Sequence, residues 1–141
     1  MKKLFTATST AAGGRNGHAQ ASDNSVSVDL SVPKAMGGPG KPNTTTPEHL
    51  FASGYAACYG SALDYVAKLQ KKHIETVEVT ADVTVGQRDD GSGFELEVAM
   101  RVRLPGVSKA DGQALIEAAH KVCPYSYAIR NNVPVTTTLV D

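Results

Sequence analysis

Cys58 lies in the stretch GYAACYGSA at 54–62, a thiol among very small residues and flanked by two tyrosines. Either it is a small apolar filler, or a helix is built there to hold a thiol in one place. A thiol acts as thiolate, and its unperturbed pKa of about 8.5 rises further in apolar surroundings. Cys58 stands roughly a dozen residues into its helix, too far from the N-terminus to gain from the macrodipole. The first lysine further along is Lys68, so a cation for Cys58 must come from elsewhere. Cys123 falls at the end of a second helix, where the dipole disfavours a thiolate. As a resolving thiol it needs less activation, because it attacks a sulfur that is already electrophilic. No C-x-x-C is present, and the cysteines are far apart in sequence, which leaves open whether they meet.

Arg15, in AAGGRNGH, is the candidate cation. Glycines on either side let its fork and the nearby amides approach a partner; the plain alternative is a solvated turn arginine. Glu48, at the start of the first helix, complements the dipole there, and it can also fix the direction of Arg15 through a two-point carboxylate pair. Glu48 and Cys58 are separated by about 15 Å of one unbroken helix at ~1.5 Å per residue. One arginine cannot easily touch both within a single chain. Two copies packed helix against helix would bring Glu48 of one near Cys58 of the other, which predicts a homodimer with sites at the interface.

The elements that must hold these residues follow from periodicity. SVSVDLSV at 25–32 alternates strictly and predicts a half-buried strand with Val26, Val28, Leu30 and Val32 inward. The glycine-rich segment before it reads as a turn, with short strands on either side. Residues 33–46 read as an irregular loop of a length that is often functional. A long helix is expected from Thr45 or Thr46 to about Gln70, with Pro47 in its first turn and a capping box from Thr45 to Glu48. It is apolar or small on every face from Leu50 to Leu63, which predicts burial all round. Gly54 and Gly60 weaken it, so something should approach closely there. Two alternating runs joined by RDDGSG predict a hairpin. A second helix begins at Ser108 with Asp111 completing its capping box, and carries an apolar stripe of Ala110, Ala114, Leu115, Ala118, Ala119 and Val122. Pro124 should end it, with Cys123 in the last turn. Residues 133–140 read as a closing strand. The class is α+β in a single domain spanning 1–141.

Composition narrows the function. The 141 residues, 41% of them hydrophobic and 20% charged, suffice for a real core. The 14 basic and 14 acidic residues cancel, and no basic stripe with interleaved aromatics marks a nucleic-acid partner. The basic opening MKKLFTATST lacks the apolar run of a signal peptide, and no stretch is long enough for a membrane span. The chain reads as cytoplasmic, where paired thiols are more often redox-active than structural.

TPEHLFASGYAACYGSAL and VCPYSYAIRNNVPV, with GGRNGHAQASD and LSVPKAMGGPG, resemble the organic hydroperoxide resistance branch of the OsmC-like family over nearly the whole chain. The resemblance implies antiparallel sheets wrapped around central buried helices in an intertwined homodimer. It implies a thiol peroxidase that reduces organic, including lipid-derived, hydroperoxides to alcohols. Cys58 would be the attacking thiol, Cys123 the resolving thiol in a Cys58–Cys123 disulfide, and Arg15 with Glu48 the activating pair. The reductant would be an external dithiol, dihydrolipoamide or a lipoylated protein; no metal, haem or flavin is implied. The family often has Asn and Thr where this chain has Tyr127 and Ile129, and Phe where it has Tyr59. Those departures bear on the substrate pocket and leave the four chemical positions intact.

Met36, Phe51, Tyr55, Tyr59 and Tyr125 are the candidates for an apolar substrate approach, although such residue types more often serve a plain core; Met36 stands out because it lies in a loop that could close over a site. Three other readings stand beside this one. The nearest is an osmotically inducible OsmC-type peroxidase of the same chemistry. Another is a non-catalytic binder of apolar ligands. The last is a metal site using His120 and Cys123, with His49 and Cys58 brought near; two spaced ligands are a weak basis for zinc. His18 and His73 read as surface histidines.

Overall fold

Gly13 and Gly17 set the first turn of the chain. In the computed structural model, which describes residues 1–141, Gly13 has φ of +80°, and a Cβ on Gly17 would fall 1.7 Å from the Ala12 carbonyl oxygen. Only glycine fits there. The turn joins β1 (Ser9–Ala12) to β2 (His18–Ala21), which pairs onward with β3 (Ser27–Asp29) in an antiparallel three-stranded sheet. A short 3-10 turn, Gly14–Asn16, presents Arg15 at its centre.

The alternation at 25–32 yields a shorter strand than its pattern suggests. Pairing stops at Asp29, and Leu30 instead makes an isolated parallel bridge to Thr45. Ser31, expected outward, is 3% exposed, because its hydroxyl accepts the Lys41 amide at 3.1 Å as the following loop turns back over it. That loop holds one more 3-10 turn, Lys34–Met36, and is otherwise irregular, as its prolines and glycines predict.

Two compact units make up the chain, Met1–Leu50 and Phe51–Asp141. The second contains most of α1 (Pro47–Leu69), then β4 (Glu78–Gln87), β5 (Phe94–Arg103), α2 (Lys109–Val122), α3 (Pro124–Ile129) and β6 (Val135–Val140). The expected hairpin is β4–β5, paired over its full length. β6 joins β5 in parallel, which corrects the expectation of wholly antiparallel sheets. The chain runs from β5 through α2 and α3 before β6, a helical crossover of the kind that parallel neighbours require. Val98, Met100 and Val102 of β5 point inward, while Arg101 and Arg103 point outward to Asp82 and Glu78. The class is α+β, as the sequence predicts.

The core of the second unit is Tyr55, Tyr59, Leu63 and Val66 of α1 with the inward residues of β5 and Leu115, Ile116 and Ala119 of α2. Helix α1 is therefore covered on one face in this chain and not all round. Ser53, Ala57 and Ser61, four residues apart, form an exposed stripe of small side chains. In α2 the buried stripe is Gly112, Leu115, Ile116 and Ala119; Ala110, Ala114 and Val122 are exposed. The helix is rotated from the expected face, because Gly112 seats directly against Leu139 of β6. Ser108 caps α2 by accepting the Asp111 amide at 3.2 Å, as expected.

Candidate active site

In the first unit, Arg15 and Glu48 meet fork to fork. Arg15 Nη1 donates to Glu48 Oε2 at 2.8 Å and Nη2 to Oε1 at 2.6 Å. Glu48 stands in the first turn of α1, where the Thr46 hydroxyl and its own backbone amide also bear on its carboxyl. The cap is Thr46, whose hydroxyl accepts the His49 amide at 3.2 Å, so the capping register is one residue later than the sequence suggested. The hydrogen bonds from Arg15 hold the Glu48 carboxyl below its ordinary range against the opposing cost of burial. The same bonds raise the Arg15 guanidinium. Glu48 is the more enclosed partner, its side chain 13% exposed against 37% for Arg15. The pair leaves other guanidinium N–H groups available to a further acceptor. Met36, from the 3-10 turn of the following loop, is 40% exposed.

In the second unit the two sulfurs, far apart in sequence, lie 3.7 Å from each other. Both thiols are free. A disulfide needs about 2.05 Å, so bond formation requires an approach of roughly 1.7 Å. Cys58 reaches the surface in part, whereas Cys123 is fully buried. Cys123 does not occupy the last turn of α2. Its φ of −66° and ψ of 120° are extended, its amide closes α2 on the Ala119 carbonyl at 2.9 Å, and it is also the N-cap of α3. Pro124 ends one helix and begins another, where its fixed φ suits the first position. Burial raises the Cys58 pKa, a backbone hydrogen bond from Tyr125 lowers it, and the hydrogen bond and charge of Cys123 raise it again. No cation of the second unit is among these influences.

Phe51, Tyr55 and Tyr125 cluster beside the sulfurs, with ring centroids 5.8–6.0 Å apart. Tyr125 passes so close to α1 that a Cβ on Gly54 would lie 2.9 Å from its Oη, which accounts for that glycine. Gly60 has no such reason within the chain, since a Cβ there would meet only Val79 and Val77 at 3.7 and 3.8 Å. Phe51 and Tyr125 are partly exposed. Tyr55 and Tyr59 are wholly buried, with Tyr55 Oη bonded to Ser126 Oγ at 2.8 Å and Tyr59 Oη donating to the Ile116 carbonyl at 2.8 Å. Burial pushes both phenols upward.

His120 pairs Nδ1 with Ser126 Oγ at 3.0 Å and Nε2 with Thr137 Oγ1 at 2.9 Å. Both ring nitrogens are thus engaged by hydroxyls, and no group of three or more His, Cys, Asp or Glu is gathered as a metal would need. Ser126 is not among the residues expected at the site; its signal in the sequence is the H-x-x-C-x-x-S spacing that brackets Cys123. His18, expected to be an ordinary surface residue, pairs with Asp29 across β2 and β3 at 2.7 Å. No helix is long and apolar enough to cross a membrane.

A family model described as OsmC-like protein matches residues 38–138. The chain is 46% identical over 138 residues to an organic hydroperoxide resistance protein of Xanthomonas axonopodis pv. citri, covering 98% of this chain and 96% of that protein. It is 41% identical over 138 residues to the organic hydroperoxide resistance protein OhrA of Bacillus subtilis, covering 98% and 97%. Among solved structures, an organic hydroperoxide resistance protein OsmC from Legionella pneumophila is similar with a TM-score of 0.93 and 42% identity, over 99% of this chain and 100% of that one. OhrB of Bacillus subtilis is similar with a TM-score of 0.90 and 40% identity, over 98% and 100%.

Proposed function

The chain belongs to the OsmC-like family, and we propose that it detoxifies organic hydroperoxides as a thiol peroxidase. The observation that carries this reading is the pair of free sulfurs 3.7 Å apart, one partly exposed and one buried. The Cys58 thiolate attacks the terminal peroxide oxygen, and the O–O bond breaks. The alkoxide takes a proton and leaves as alcohol, and Cys58 becomes a sulfenic acid. Cys123 then attacks the Cys58 sulfur, forming a disulfide and releasing water. An external dithiol, with dihydrolipoamide or a lipoylated protein as the proposed source, reopens the disulfide by exchange. A reducing cytoplasm is the compartment that suits this cycle.

The raised pKa of Cys58 is an obstacle that the second unit does not remove. Arg15 is the proposed remedy, supplied by a second copy of the chain packed on the small-residue stripe of α1. Held by Glu48, its guanidinium favours the thiolate and donates hydrogen bonds to the peroxide as charge develops on oxygen. Phe51 and Tyr125 offer the alkyl group an apolar wall, with Tyr55 and Tyr59 behind them, and Met36 is a further proposed contact. An apolar approach favours organic peroxides over hydrogen peroxide.

The test is consumption of cumene hydroperoxide and of hydrogen peroxide, each with dihydrolipoamide, by the wild type and Cys58→Ser. Faster turnover of the organic peroxide, lost in the variant, is the expected result. No turnover by wild-type protein whose thiols are free overturns the proposal.

A further inference from the structure

His120 stands three residues before Cys123, and Ser126 three residues after it. Between them Cys123 ends one helix and starts the next, so its position depends on the angle at which α2 and α3 meet. The His120–Ser126 hydrogen bond spans that junction at 3.0 Å. Ser126 passes the connection to Tyr55, which lies three residues before Cys58 on α1. Tyr59, the residue after Cys58, lays its ring against the imidazole with centroids 4.6 Å apart. The other imidazole nitrogen is tied to Thr137 of β6, and Arg130, just beyond α3, donates to the His120 carbonyl at 2.8 Å. Ser126 is buried, and no buried side-chain nitrogen or oxygen lacks a partner. One imidazole thus joins the three helices and the strand that surround the two sulfurs.

We propose that His120 and Ser126 are positioning residues for the resolving step, holding the α2–α3 junction so that Cys123 can reach the oxidised Cys58 sulfur. The inference rests on the function proposed above. In that step the Cys123 S–H and the Cys58 S–OH become one S–S bond and one water, so no external oxidant is needed. The attack geometry is what must be supplied, and a misplacement of about 1 Å can cost on the order of 100-fold in rate. A slow resolving step leaves the sulfenic acid open to a second peroxide and to irreversible sulfinic acid. Neither residue has a part in the first attack.

The experiment adds one equivalent of cumene hydroperoxide to reduced protein and follows the products by quenched mass spectrometry, with dimedone trapping the sulfenic acid. Ser126→Ala, His120→Gln and His120→Asn are compared with the wild type, and each variant's melting temperature is measured. Peroxide disappears at the wild-type rate in Ser126→Ala and His120→Gln, but the disulfide forms about tenfold or more slowly, and sulfinic acid accumulates with excess peroxide. His120→Asn places its amide where Nδ1 stood, keeps the Ser126 bond and rescues resolution. Wild-type resolution in all variants overturns the inference. So does equal slowing in all three that tracks their loss of melting temperature, since that marks packing alone. Absence of any Cys58–Cys123 disulfide in the wild type overturns the proposed function itself.

Discussion

Glu48 meets Arg15 at two oxygens, so a change that keeps its shape but removes its charge separates orientation from bulk. Glu48→Gln retains one acceptor and loses the two-point grip. Its carboxyl is held below the ordinary value of 4.5, so the grip is intact above that value and is lost only as the pH falls through the lower folded value. Changes in thiol reactivity between pH 6 and 9 therefore do not arise from Glu48. The expected result for Glu48→Gln is an upward shift in the pH midpoint of Cys58 alkylation and a fall in kcat/KM for cumene hydroperoxide of about ten- to a hundredfold. An unchanged midpoint and rate would show that Arg15 is not directed by Glu48. Local sequence offers this pairing only beside a solvated turn arginine and a simple first-turn carboxylate; it is the family resemblance that favours it, and the fold that shows the two side chains meeting. The cap register was not legible, since Thr45 and Thr46 are chemically equal candidates and only the folded loop selects between them.

Among the elements, α3 shows what periodicity misses. Proline after a helical run is normally read as a stop, and the six residues that follow Cys123 are too few to show a period of their own. The same short element explains why Cys123 is buried and why Tyr125 reaches Gly54. The helices α1 and α2, the hairpin and the Ser108 cap were all legible, because each rests on signals within a few residues. Which face of α2 is buried was set by Leu139 of β6, a partner distant in sequence. The seam that joins these elements also responds to pH. Burial, helped by the charge of Arg130, lowers the His120 pKa from 6.5. Below pH 6.5 the unfolded chain takes up a proton that the folded one resists, so stability falls until the pH passes the lower folded value. The strengthened carboxylate pairs are lost in a separate window, below about 4.5. Denaturant unfolding at pH 7.5 and 5.5 should show a drop in stability that is smaller in His120→Asn. An equal drop in both would assign the effect to other groups.

For the whole molecule, the proposal of a homodimer turns on the open side of α1. Ala57 is exposed in the chain, and a Cβ on nearby Gly60 would make only ordinary contacts with Val79 and Val77, so nothing in the chain demands a glycine there. Ala57→Glu should leave the fold and melting behaviour of an isolated chain nearly unchanged, but bring like charges face to face across paired helices. Sedimentation should then report a dimer for the wild type and a monomer for the variant, with peroxidase activity lost alongside. A wild-type monomer with full activity would remove the second copy from the mechanism. The sequence marks this helix as apolar or small on every face, but the face left open in one chain, Ser53, Ala57 and Ser61, emerges only with the fold. The sulfurs are 65 residues apart along the chain, and joining them would remove about 4 kcal/mol of conformational freedom from the denatured chain on the loop-closure account. An oxidised molecule awaiting its reductant would then resist heat and proteases better than a resting one, so that oxidant exposure lengthens the lifetime of the protein that meets it.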